Sequence, residues 1–469
     1  MKCVVFLPGI MGSELRHAET NKRVWPPSLG ALVTKSVKAE ALLDENLVAT
    51  KPIESVTPFY SVYRSILRDI QACGYSLSGS QSGSESGSES GSERRFIPFA
   101  YDWRKSNQAS ALALSEHLDQ QQSFDEIVLI GHSMGGLILR YLLESGEFDQ
   151  RPWFKAITQL ITLGTPHNGA PIALNQIAGL ASNLGISAEN VKLLVSDQRY
   201  PSAYQLVAPN GSAMTLKAAS SSRLPYVVNP FDSEIVARYQ LQQANIDAAL
   251  RFWSKLDLAK RPEKVAYFSF VSSAHTTLTR LEWTGSELLE RESNDSGDGT
   301  VPISSSLNGS IPHSFSQKKH STIFADRNLR VELFKMLGAP SDVTPHSLSG
   351  RSELLASNVM GISTDREDYR PLDNMEIVVS FLKPQINPRC RFQLVKIDPE
   401  SESGEPLNEV GDAINVSFNG LEDGLELQNF KFSVAMDLSP GVYELQTSDQ
   451  VDDPERSFFV VSEDPTSKR

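Results

Sequence analysis

Gly131-His132-Ser133-Met134-Gly135-Gly136 sets a serine between glycines two positions away on either side, where an apolar run meets a segment of helical spacing. A tight strand-to-helix turn needs this pattern, because small residues let the flanking backbones pass closely while the hydroxyl is exposed. A serine hydroxyl attacks a carbonyl only when a base takes its proton and an acid orients that base. Both are sought downstream, the acid first and the histidine last. Asp298, in the glycine-bracketed Ser296-Gly297-Asp298-Gly299-Thr300-Val301-Pro302, is the favoured acid, with Asp295 competing. Of the histidines that follow, His320 in Lys318-Lys319-His320-Ser321-Thr322-Ile323 is the favoured base; His313 is the runner-up, and His346 falls in what reads as a connection between domains. His132, next to the serine, is expected to point away from it and pack.

Acyl transfer also needs two backbone N–H groups aimed at the developing oxyanion. Met134, directly after the serine, is one expected donor. The other is expected from Leu7-Pro8-Gly9-Ile10-Met11-Gly12-Ser13, at Ile10, with Met11 as an alternative. A glycine-rich turn can also cradle phosphate, but the spacing matches neither GxGxxG nor GxxxxGK[ST].

These residues need a frame. Cys3 to Leu7 is an unbroken apolar run that reads as a strand buried on both faces, and Phe59 to Ala72 has helical spacing. Strand Phe96 to Ala100, helix Ser110 to Gln121, strand Glu126 to Ile130, helix Met134 to Glu144, and strands Ala156 to Leu163 and Val265 to Val271 continue the rhythm. Such alternation predicts an α/β domain with a mainly parallel sheet. The Ser/Gly/Glu tract 78–93 reads as a flexible surface loop inside it. The stretch from about 170 to 262 is too long for a plain connection and is expected to be a lid, with short helical segments around Ile172 to Leu184 and an N-cap at Ser187. The final helix is expected over Arg330 to Met336. From about residue 345 short strand-like runs alternate with Pro, Gly, Asn and Asp clusters, the pattern of an antiparallel β-sandwich. The domains are thus expected at 1–340 and 345–469.

The 469 residues, 40% hydrophobic and 22% charged, are enough for at least two folded domains and exclude collagen-like or wholly disordered chains. Net charge of −13 disfavours nucleic-acid partners. From Asp365 onward there are 22 acidic and 10 basic residues, so the excess sits in the sandwich-like region, which is expected to serve a protein partner, a ligand or the lid. Three separated cysteines form no disulfide framework or zinc pattern and suggest a reducing, cytoplasmic setting. No apolar run long enough for a membrane helix and no secretion signal is read at the N-terminus. No motif calls for a metal, nucleotide or redox cofactor.

The ordered set LPGIMGSEL (7–15), FAYDWR (99–104), GHSMGG (131–136), GTPHNGAP (164–171), PSAYQLVAP (201–209) and GDGTVP (297–302), ending at His320, resembles the lecithin:cholesterol acyltransferase-like family of α/β-hydrolases, especially its bacterial lipase and phospholipase-like members. The resemblance spans roughly residues 1–340. It implies an α/β-hydrolase fold with a lid insertion, Ser133 as nucleophile, Asp298 as orienting acid, His320 as base, and Ile10 and Met134 as oxyanion donors. It also implies a lipid acyl-ester substrate. Asp102, Trp103 and Arg104 would shape the site, or form a buried ion pair beside a core tryptophan. His167 is expected to be structural. The C-terminal extension lies outside the resemblance.

Overall fold

The computed structural model describes residues 1–56, 62–77, 93–121, 123–209, 214–216, 226–309, 311–340, 343, 360–398, 406–411, 413–417, 426–448 and 456–462. The Ser/Gly/Glu tract, apart from its last residue, the expected interdomain connection and His346 lie outside these.

Seven strands form the central sheet. From one edge to the other they are His313–Ser316, Ala266–Ser272, Ile157–Leu163, Glu126–His132, Lys2–Leu7, Arg94–Pro98 and Ser76–Leu77, and every neighbouring pair is parallel. Val4, Val5, Phe6 and Leu7 are wholly buried because both faces of the sheet are covered. One face packs on Leu114, Leu118, Leu137 and Ile138 of helices Asn107–Asp119 and Met134–Glu144. The other packs on Ile66, Ile70, Leu329 and Leu333 of helices Arg64–Ala72 and Arg327–Met336. The chain order and the crossover helices give the expected α/β-hydrolase arrangement. In parallel sheets of this kind ligands meet the carboxyl ends of the strands.

Local signals explain several boundaries. Ser187 caps helix Ala188–Val195 by accepting from Asn190 N–H, as its position suggested. The final helix starts earlier than its apolar spacing indicated, since Asp326 accepts from the N–H groups of Asn328 and Leu329 and fixes the start at Arg327.

The structure also adds elements. Ser13–His17 pairs antiparallel with Arg23–Trp25 and Leu47–Pro52. Asp298 does not follow strand Ala266–Ser272 directly: an antiparallel pair, His275–Trp283 and Leu288–Gly297, intervenes. Met214–Leu216, within the insertion, pairs parallel with His275–Trp283 and knits the insertion to this hairpin.

The C-terminal region is all β. Met360–Thr364, Asn374–Ile386 and Glu426–Ala435 form one antiparallel sheet. Gly441–Thr447 lies between Arg389–Ile397 and Arg456–Val461 in a second, and Asp368–Tyr369 adds to its edge. Alternate residues such as Ile377, Val379, Phe392, Leu445 and Phe459 face inward to make the shared core. The opposite face of the second sheet is also occupied. Val395, Ile397, Val442 and Val460 pack on Leu29, Leu32 and Val33 of helix Leu29–Thr34, so the sandwich is fastened to the α/β region through an apolar contact.

Candidate active site

Ser133 stands at the carboxyl end of strand Glu126–His132, with φ of 52° and ψ of −123°, an unfavourable backbone for a residue with a Cβ. Its surroundings enforce the turn. A Cβ on Gly131 would lie 2.6 Å from Gly136 Cα, and one on Gly135 would lie 2.6 Å from Leu7 O. Ser133 N–H donates to Leu163 O at 2.9 Å, and Thr165 Oγ1 donates to Ser133 O at 3.1 Å. The hydroxyl is thereby fixed from the backbone up.

His320 begins a short 3-10 turn, His320–Ala325, just beyond the edge strand His313–Ser316. Its Nε2 lies 2.9 Å from Ser133 Oγ and its Nδ1 2.7 Å from Asp298 Oδ2. A carboxylate accepts only, so Nδ1 carries the hydrogen and Nε2 presents its lone pair to the serine hydroxyl. Asp298 is 1% exposed; its Oδ1 accepts from the N–H groups of Thr300 at 3.0 Å and Val301 at 2.6 Å, which leaves Oδ2 for the imidazole. The backbones are tied as well, His320 N–H donating to Asp298 O at 2.8 Å. Burial pulls the His320 imidazole toward a lower proton affinity, but the Asp298 carboxylate and, behind it, Glu367 outweigh this and hold its pKa above the ordinary histidine value.

Gly164, from the GTPHNG segment, has φ of +56°, and a Cβ there would come within 2.9 Å of Asp298 Oδ2 and 3.1 Å of His320 Nδ1. Only a glycine gives the acid–base pair this room.

Gly9, Ile10 and Met11 follow strand Lys2–Leu7, and Gly9 lies against the serine. Gly12 N–H donates to Gly9 O at 3.0 Å to close a β-turn with Met11 at φ of 61°. A Cβ on Gly9 would be 2.9 Å from Ser133 Cβ. Met134 opens its helix, so its N–H has no acceptor within that helix. The two segments expected to carry the oxyanion donors thus flank Ser133.

His132 points away from the serine, as its place on the turn suggested, and is buried. Its Nδ1 is 2.9 Å from Tyr63 OH and its Nε2 2.9 Å from His320 O. Burial, reinforced by His320, lowers its pKa to about 3, so the ring is neutral. A carbonyl cannot donate, so Nε2 carries the hydrogen and Nδ1 accepts from the tyrosine hydroxyl, which itself accepts from Gly9 N–H at 2.9 Å. This chain joins the Gly9 turn to the His320 segment. Tyr63 had only helical spacing to recommend it, and no sequence signal marked this link.

The competing residues are elsewhere. Asp295 is exposed and pairs with Lys431. His313 is exposed on the edge strand with its ring against Phe315. His167 is buried among Arg140, Thr162 and Ser269, and burial with the nearby Arg140 holds its pKa far below the ordinary value, consistent with a structural place. Arg104, buried, and Asp102, half-buried, form the ion pair that was one of their two expected places. Arg104 Nε and Nη2 each lie 2.8 Å from the carboxylate, Nη1 donates to Leu42 O and Asp44 O, and the guanidinium stacks on Tyr200 at 4.5 Å. Trp103 donates to Ser13 O at 3.3 Å and packs edge-on against Trp25.

A narrow cleft of about 40 Å³ opens between the Gly9 turn and the insertion, lined by Ile10, Met11, Trp103, Ile186, Leu194 and Val195 among others. Its walls are mainly apolar.

Residues 85–262 match the family model described as lecithin:cholesterol acyltransferase, a stretch that includes the serine turn and the insertion. Among solved structures the chain is similar to a gene product of Listeria innocua, at 13% identity and a TM-score of 0.30, over 73% of this chain and 97% of that one. It is likewise similar to a metagenomic carboxyl esterase, at 13% identity and 0.29, over 68% and 64%. A third is the RedJ thioesterase from the prodiginine biosynthetic pathway of Streptomyces coelicolor, at 12% identity and 0.30, over 72% and 84%. No curated protein sequence matches this chain. Residues 85–262 are thus similar to the lecithin:cholesterol acyltransferase family, and the matched stretch includes the serine turn at the end of a central strand of the seven-stranded parallel sheet.

Proposed function

We propose that the protein is a serine-dependent acyl-ester hydrolase or acyltransferase whose donor is a lipid. The observation that carries this reading is the run Ser133 Oγ, His320 Nε2, His320 Nδ1, Asp298 Oδ2, with contacts of 2.9 and 2.7 Å, at the carboxyl edge of the parallel sheet. In the proposed reaction His320 takes the hydroxyl proton as Ser133 Oγ bonds to the ester carbonyl carbon. The N–H groups of Ile10 and Met134 hold the oxyanion. Collapse of the tetrahedral intermediate breaks the bond to the leaving alcohol, which receives the proton from His320, and leaves an acyl-serine. Water, or a lipid alcohol, then takes the acyl group by the same steps in reverse roles.

The apolar lining beside Ile10 and Met11 supports an apolar acyl group over a small polar acid, since each buried methylene contributes about 0.8 kcal/mol. In this reading the 170–262 insertion acts as the lid over that group. Product analysis by mass spectrometry, with phospholipid vesicles and soluble short-chain esters offered side by side, tests the substrate class. Free fatty acid with lysophospholipid that disappears in Ser133→Ala supports it. Turnover of short esters with intact phospholipid would reassign the protein to the carboxylesterases.

A further inference from the structure

The segment that carries His320 is held by the C-terminal β region on both flanks. On one side Lys319 is 4% exposed, and its ammonium donates to Thr364 Oγ1 at 3.2 Å, Arg366 O at 3.5 Å and Phe458 O at 3.0 Å, with Glu367 at 3.9 Å. Lys318 Nζ donates to Ile362 O at 2.9 Å. On the other side the Ser321 hydroxyl donates to the Glu367 carboxylate. The acid loop abuts the same region, since a Cβ on Gly299 would lie 3.1 Å from Asp365 O. Each of these partners belongs to Met360–Thr364, the turn after it, or Arg456–Val461.

A buried ammonium is costly unless its donors are filled, and among the described residues those of Lys319 are filled by the C-terminal β region. Neighbouring Lys318 and Ser321 are tied to the same strands, so the backbone of His320 has little freedom to move without breaking those bonds.

We infer that the C-terminal β domain is a positioning part of the acyl-transfer site: through Lys319 on one side and Glu367, which accepts from Ser321, on the other, it fixes the backbone that aims His320 at Ser133. The inference rests on the reading of His320 as the base. It makes Lys319 and Glu367 positioning residues, since neither touches the reacting atoms. The titratable and charged groups around His320 are Asp298, His132 and Glu367, with Lys319, Asp365 and His275 behind them. Glu367 adds to the upward pull of Asp298 on His320, while burial opposes both.

The test uses the full chain as wild type, Ser133→Ala, Lys319→Met and Glu367→Gln, assayed with 4-nitrophenyl butyrate across pH and labelled with a fluorophosphonate. Lys319→Met is expected to lower kcat by roughly 10- to 100-fold with KM little changed, the signature of a misplaced base. Glu367→Gln keeps an acceptor for Ser321 and is expected to move the acid limb of kcat/KM to lower pH. An unchanged kcat in folded Lys319→Met, or an acid limb that stays in place in Glu367→Gln, overturns the inference. If Lys319→Met does not fold, the Glu367→Gln profile decides. Wild-type protein that shows neither Ser133-dependent hydrolysis nor Ser133 labelling removes the reading of His320 as base and the inference with it. Ser133-dependent turnover with unmoved variants removes the inference alone.

Discussion

His132 Nε2 donates a 2.9 Å hydrogen bond to the backbone carbonyl of His320, so the residue before the serine holds the segment that carries the base. The other ring nitrogen accepts from Tyr63, whose oxygen accepts from Gly9 N–H, and the three loops that converge on Ser133 are thereby set against one another. Tyr63→Phe would leave Gly9 N–H and His132 Nδ1 without this partner in a buried place. The expected cost is about 1–3 kcal/mol of folding stability, read as a lowered urea midpoint with the slope unchanged. A midpoint equal to wild type would mean that the chain is not structurally important.

Gly164→Ala tests whether the acid–base pair needs the space it has. The added Cβ would meet Asp298 Oδ2 at 2.9 Å and His320 Nδ1 at 3.1 Å from a left-handed backbone. On the order of 100-fold loss in kcat is expected, with substrate binding largely retained. Steady-state kinetics would show the effect in kcat rather than in KM.

The pH responses of activity and stability should run in opposite directions near neutrality. His320 must be neutral to accept the serine proton, and its pKa is raised, so the acid limb of kcat/KM is expected above about 6.5, the ordinary histidine value. A raised folded pKa also means that protonation of His320 stabilises the fold. That contribution is full below about 6.5 and is lost as pH rises through the folded value. His132 acts in the opposite sense: its folded pKa of about 3 gives stability that is present above about 6.5 and lost as pH falls toward 3. Kinetic profiles beside urea titrations at each pH, with His132→Gln for comparison, separate the two. An acid limb below 6.5 would contradict the electrostatic assignment of His320.

Arg104→Met would remove a buried guanidinium from the half-buried Asp102, leaving it only Lys105 at 3.7 Å, and leave the carbonyls of Leu42 and Asp44 without this donor. Loss of the hydrogen bonds that this charged donor makes costs about 1.5–3 kcal/mol, and thermal denaturation is expected to show it. A loss of activity without loss of stability would instead place Arg104 in substrate recognition.

The parts of the site legible in the sequence are those fixed by local backbone demands. Gly131, Ser133 and Gly135 announce a strained turn, and the apolar runs Cys3 to Leu7 and Glu126 to Ile130 announce strands buried on both faces. Asp298 and His320 could be favoured only by order and flanking residues, because nothing in their spacing fixes a distance across the sheet. The hairpin before Asp298 was not legible: Leu288–Gly297 is mostly charged and polar, so it carries no alternation, and its partner is rich in threonine. Tyr63, Lys319 and Glu367 owe their places to contacts 46 to 139 residues away, beyond any periodic signal. The C-terminal strands, by contrast, were legible as short strand-like runs, because Pro, Gly, Asn and Asp clusters set them apart.

The central claim is that Ser133 is an activated nucleophile. The most direct measurement is intact and peptide mass spectrometry after exposure to a fluorophosphonate, on wild type, Ser133→Ala and His320→Ala. One phosphonyl group on Ser133 in wild type is expected, none on Ser133→Ala, and labelling slowed by orders of magnitude in His320→Ala. Wild-type protein that stays unlabelled, or labels at another residue with the same rate in all three, would contradict the account.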